Sequence, residues 1–172
     1  MLLLLIAAAA GAQEASDGAF EALRICRAAG ALSSHEHAVQ LERGLALAQR
    51  AVSANPDDPV AHFAAFCNRG RRVQMDGLRP QVLGEVRRAR RDIDRALALA
   101  PDWPEALAAK GALLLALPRL LGGDRDEGLR LLERAVALDP SNPEARVILR
   151  QADTAHVVPN GVSDRPADGI ER

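Results

Sequence analysis

Ala96-Leu-Ala-Leu-Ala-Pro101-Asp-Trp-Pro-Glu-Ala106 is the stretch that decides how this 172-residue chain folds. Pro101 has no amide hydrogen and its ring clashes with the preceding turn, so a helix arriving from Ala96 must stop there. Pro104 fits the first turn of a new helix, where an amide would lack an intrahelical partner anyway. The same phrase occurs on either side, as Ala51-Val-Ser-Ala-Asn-Pro56-Asp-Asp-Pro-Val-Ala61 and Ala135-Val-Ala-Leu-Asp-Pro140-Ser-Asn-Pro-Glu-Ala145. Each copy closes one helix and opens the next. The Asp or Ser after the first proline is a candidate N-cap, and Asp102 with Glu105 and Ser141 with Glu144 have the spacing of capping boxes.

Outward from these junctions, apolar residues recur every three or four positions: Leu41, Leu45, Ala48 and Val52; Val82, Val86, Ala89, Ile93 and Ala96; Leu129, Leu132 and Val136. Such spacing predicts helices with a single apolar stripe. The expected helices cover about 17–29, 35–54, 58–70, 80–100, 103–117, 125–139 and 142–153. One stripe is buried only against a neighbour, so the helices must stack, and the last acts as the cap that such arrays need. The repeat domain is placed at 13–153. The tail 154–172, with Pro159, Gly161, Pro166, Gly169 and few apolar residues, is expected to be disordered.

The junction phrase resembles the boundary between helix B of one tetratricopeptide (TPR) repeat and helix A of the next. Ala106 and Gly111 match the small residue and glycine of helix A, and Gly128, Leu132, Ala135 and Pro140 match the helix B positions. Ala89, Ile93, Ala96 and Pro101 do so one unit earlier, and Gly44, Ala48, Ala51 and Pro56 in the first. The chain departs from the family where Phe66 replaces the glycine and Lys110 an apolar residue. Its junction prolines also stand 45 and then 39 residues apart instead of the family's period of about 34. The extra residues are expected between helices A and B, as 69–79 and 117–123. The resemblance implies an all-α, TPR-like helical-hairpin solenoid of about three repeats with a C-terminal capping helix. It also implies a non-enzymatic scaffold whose A helices line a concave face for a protein or peptide partner. Phe63, Cys67 and Lys110 are the candidate groove contacts on those helices.

Composition sets the outer bounds. Basic and acidic residues nearly cancel, for a formal net charge of -1, so no global field draws the chain to nucleic acid. Aromatics are only 2% of residues, which also removes the stacking platforms of single-strand binders. The apolar run Leu2–Ala10, too short to span a bilayer, is followed by Gly11-Ala12 and polar Gln13. It reads as a signal peptide over 1–12 that lacks a basic n-region, giving the expectation of a periplasmic or secreted protein without stable membrane insertion after cleavage. Cys26 and Cys67 either pair in such an oxidising compartment or serve as two small buried hydrophobes.

The largest local charge feature is Arg69–Arg95, with nine arginines against Asp76, Glu85, Asp92 and Asp94. Guanidinium groups pair bidentately with carboxylates, which makes Arg87, Arg88, Arg90 and Arg91 candidates for gripping an acidic segment, against the plainer reading of a solvated helix face. In the turn Leu117–Asp124, Gly122 and Gly123 relax the backbone and Asp124 caps the next helix with Glu127, while Leu117, Leu120 and Leu121 are expected to shape a pocket. His35 and His37 lie two apart and point in different directions on a helix, so no metal site is expected. No nucleophile-and-base set or cofactor motif is present, so neither catalysis nor a cofactor enters the reading. The alternative function, from a looser similarity to extracytoplasmic TPR components of TRAP-type transporters, is solute handling beside a periplasmic transporter. An open groove would favour the scaffold, and a sealed apolar cavity with an Arg at its mouth would favour solute handling.

Overall fold

The computed structural model describes residues 2–28, 34–77 and 80–156, and among them it is helical without strands. The helices are α1 (Leu2–Ala28), α2 (Ser34–Ala54), α3 (Pro59–Asp76), α4 (Leu83–Leu99), α5 (Pro104–Ala116), α6 (Arg125–Leu138) and α7 (Pro143–His156). Short 3-10 turns at Pro80–Val82 and Arg119–Leu121 lead into α4 and α6. Three hairpins, α1/α2, α3/α4 and α5/α6, stack side by side, and α7 covers the end against α6. This is the expected helical-hairpin solenoid. The segments 29–33, 78–79 and 157–172 lie outside the described residues, and with them the tail expected to be disordered, apart from the last turn of α7.

All three proline-marked junctions are helix boundaries, but the capping differs from the expected boxes. Asp58 accepts the amide of Val60 at 2.8 Å ahead of α3. Ahead of α7, Asn142 Oδ1 accepts the Ala145 amide at 3.0 Å, and Ser141 Oγ instead donates to Asp139. At the middle junction Trp103 occupies the cap position without a side-chain bond. Asp102 there is drawn to Arg134 of α6, and Glu105 to Arg27 of α1. Neither expected box forms: arginines take Asp102 and Glu105 at the middle junction, and at the last one Asn142, a residue nearer the helix, supplies the cap in place of Ser141. Asp124 does cap α6, accepting the Glu127 amide at 3.0 Å.

Two helices run longer than expected. Residues 2–16 continue α1, since this Leu- and Ala-rich stretch contains no proline to stop it. More consequentially, most of the first long insertion extends α3 by nearly two turns, to Asp76, because Arg69–Met75 holds no breaker except Gly70. The helix ends where Gly77 takes φ +72°, a region that side chains avoid.

The core is one apolar layer shared between hairpins. Leu45, Ala48, Phe63, Ala89, Ile93 and Ala96 are buried together, with Ala106 joining from α5. Leu107, Leu132, Ala135 and Ala145 continue the layer through α6 and α7. Burying a side chain such as Ile93 or Leu132 contributes about 1.5–3 kcal/mol each. Small residues set the spacing. A Cβ on Gly111 would stand 2.8 Å from the Gly128 carbonyl, so α5 and α6 touch backbone to backbone. Charged pairs then tie one unit to the next: Arg95 to Asp57, Arg134 to Asp102, and Lys110 to Asp94 at 2.7 Å.

Candidate functional site: a cleft between the second and third hairpins

The stack is not evenly packed. α1 and α2 both lie closely on α3, whereas α5 meets α4 sparsely and α3 hardly at all. Near their N-terminal ends α3 and α5 touch through Phe63 and Trp103, with ring centroids 4.6 Å apart. Beyond that contact a half-open cleft of about 410 Å³ separates them.

Both walls are single helix faces. On α3 the wall is Phe63, Phe66, Cys67, Gly70, Val73 and Gln74; on α5 it is Ala109, Ala112, Leu113 and Ala116. The α5 positions follow i, i+3, i+4, i+7, one side of a helix, and three of the four are alanine. Their smallness is what leaves the space. Val86 and Ala89 of α4 close the back, and Leu117 stands at one end. Without the extension of α3 the wall would stop near Gly70, so the inserted residues build the site.

The rim carries the charge. Arg27 of α1 reaches across to Glu105 of α5 in a two-pronged pair, its Nε donating at 3.1 Å and its Nη2 also donating. Arg71 on α3 and Glu144 on α7 also border the cleft. Neither makes an ion pair among the described residues. The mouth therefore has one satisfied pair and two further opposite charges on different helices, α3 and α7.

Cys26 and Cys67 are joined by a disulfide, with 6.0 Å between their α-carbons. The bridge fastens α1 to α3 beside the cleft. Next to it, Asn68 is fully buried and donates to the carbonyls of Ala22 and Ala64, both at 2.9 Å. On the opposite side of α3, buried Arg69 donates to Asp92 at 3.1 Å and also to Glu85, which Arg88 shares. Burial outweighs the attraction of Arg69 at Asp92 and pushes its carboxyl above the usual aspartate range. Burial pushes Glu85 the same way, but the hydrogen bonds and charges of Arg69 and Arg88 together hold it below its ordinary value.

The candidate residues separate clearly in space. Phe63 and Cys67 line the cleft. Lys110 does not; it sits on α5 facing α4, paired with Asp94. Arg87, Arg88, Arg90 and Arg91 lie on α4, away from the cleft, because α4 turns only Val86 and Ala89 toward it. Arg88 is held by Glu85, and Arg90 donates to the Gly122 carbonyl at 2.8 Å, latching α4 to the α5–α6 turn. Arg79 lies outside the described residues. In the α5–α6 turn, Leu117 reaches the cleft as expected, but Leu120 points into solvent, 99% exposed. The repeat positions behave structurally: Ala89, Ala96 and Ala135 are buried, Gly111 and Gly128 form the close crossing, and Pro56, Pro101 and Pro140 sit in the junctions. Sequence reasoning missed Ala109, Ala112 and Ala116, although their helical spacing was visible, because alanines at that spacing are as readily core as surface. Among the described residues no group of His, Cys, Asp and Glu is placed to hold a metal ion, and no helix is long and apolar enough to cross a membrane.

This architecture is TPR-like in fold. The first TPR domain of Spaghetti (RPAP3), solved bound to the HSP90 peptide SRMEEVD, superposes with a TM-score of 0.54. The match covers 81% of this chain and 96% of that one, at 21% sequence identity. No family model matches the chain. No curated protein matches it in sequence.

Proposed function

We propose that this protein is a non-enzymatic interaction module of the cell envelope that holds a peptide segment of a protein partner in the cleft between α3 and α5. The single observation that carries this reading is the cleft itself: a largely apolar trough between α3 and α5, the first helices of two successive hairpins. A relative in fold, the RPAP3 domain, binds a peptide, which supports the same use here. The cleft opens to solvent, which favours a docked chain segment over an enclosed solute, and the alternative of solute handling loses ground accordingly.

Export is the second half of the proposal. It is supported by the apolar run ending at Ala10-Gly-Ala12 and by the Cys26–Cys67 bridge, a linkage that persists in oxidising compartments. The described buried residues of α1, Ala19 to Cys26, all follow the expected cleavage point, so removal of 1–12 costs none of that packing. Intact mass of the protein from a periplasmic fraction should give a chain beginning near Gln13; an uncleaved Met1 in the cytoplasmic fraction would reject export. For the docking claim, A112W should fill the cleft and abolish recovery of a specific partner, while R87E/R91E on α4 should leave it intact. The reverse pattern would place recognition on the arginine face instead.

A further inference from the structure

The rim charges give the docked segment a polarity. Arg71 on α3 and Glu144 on α7 are opposite charges on the border of one apolar cleft that make no ion pair among the described residues, while the third rim feature, Arg27 with Glu105, is already neutralised. We infer that the cleft recognises a bipolar segment, with one or more bulky apolar side chains flanked on one side by an acidic residue for Arg71 and on the other by a basic residue for Glu144. This deepens the peptide-docking reading and rests on it.

Three physical points select that ligand. Apart from Gln74 the walls are apolar, with alanine, glycine, valine, leucine, phenylalanine and the disulfide-bonded Cys67, so apolar side chains gain most by displacing water from between them. A cleft of about 410 Å³ has the size of sites that enclose a drug-sized ligand, enough for a few apolar side chains. Finally, a doubly acidic segment would set like charge against Glu144, and a doubly basic one against Arg71, so each is penalised at one rim. The α3 wall is fastened to α1 by the disulfide, which keeps Arg71 on a fixed support.

Fluorescence anisotropy on the full chain tests this with three labelled peptides: Ser-Glu-Leu-Phe-Leu-Lys-Ser, its Glu/Glu version and its Lys/Lys version. Rim pairs of this kind change affinity by roughly two- to fivefold each, so the bipolar peptide should bind about three- to tenfold tighter than either other in low salt. R71E should make Lys/Lys the preferred peptide, and E144K should make Glu/Glu preferred. Replacing Leu-Phe-Leu by three serines should abolish binding, as should A112W, with A112L as a second plug if the tryptophan variant fails to fold by circular dichroism. Equal binding of the three peptides, all still blocked by A112W, would overturn the polarity and leave peptide docking standing. If no peptide bound, while decanoate bound saturably and A112W blocked it, both the polarity and the peptide reading would fall in favour of a small amphiphile.

Discussion

Replacing Gly44 with alanine probes how α1, α2 and α3 are locked together. A Cβ built on Gly44 would lie 2.8 Å from Cγ of Asn68 and closer still to its Oδ1, so the amide must move. It has nowhere cheap to go, since its Nδ2 is committed to the carbonyls of Ala22 and Ala64 in a fully buried setting. Losing two such bonds costs about 1 kcal/mol each, and forcing extra volume into a packed site adds about 1–3 kcal/mol. Against this stands the helix propensity of alanine, which returns about 1 kcal/mol over glycine. The net expectation is a loss of about 2–4 kcal/mol, or about 5–15 °C in Tm for a domain of this size. Gly18 provides the internal control: nothing lies within 4 Å of its would-be Cβ, so G18A gains propensity without a clash and should be neutral to stabilising. Thermal and urea melts of G44A, G18A, N68A and the G44A/N68A pair complete the cycle. With Asn68 shortened the space is open, and G44A should then stabilise instead of destabilise. A G44A protein as stable as G18A, or additive effects in the pair, would refute the lock.

The Cys26–Cys67 bridge closes a loop with a sequence separation of 41, for which the chain-entropy estimate is about 4 kcal/mol. Adding reductant should therefore lower the urea midpoint of the wild type strongly and leave a C26A/C67A variant unmoved; equal shifts in both would mean the bridge contributes nothing. Glu85 gives a pH signature. Its folded pKa is depressed, so its contribution is fully present above the unfolded value and is lost as pH falls through the folded one. E85Q should cost about 1–2 kcal/mol at pH 7, allowing for its partial exposure, and the penalty should shrink toward zero below the ordinary glutamate range. A penalty that persists unchanged in acid would assign the effect to packing. Asp92, whose pKa is raised by burial, has the opposite sign: its ionisation opposes folding, and that cost is relieved on acidification.

Much of this protein was legible along the chain. Pro56, Pro101 and Pro140 set the helix boundaries because proline's geometric demands are local and need no neighbour to enforce them. The three-and-four spacing through Val86, Ala89 and Ile93 likewise fixed which side of α4 is buried, and with it the stacked-hairpin architecture. The site was only half visible. Phe63 and Cys67 could be placed on an inner helix, and the lack of proline or glycine between Arg71 and Asp76 permits α3 to continue, but nothing local requires that part of the insertion to be helix rather than loop. Arg87 and Arg91 looked like the functional charges because sequence shows their density and hides their direction. Which groups face each other depends on the angle and separation of α3 and α5, quantities set by long-range packing against α1, α2 and α4. So the chain's local chemistry determined the helices and their order, while tertiary packing alone decided that three alanines on α5 would leave an opening, and that Arg71 and Glu144, distant in sequence, would border it.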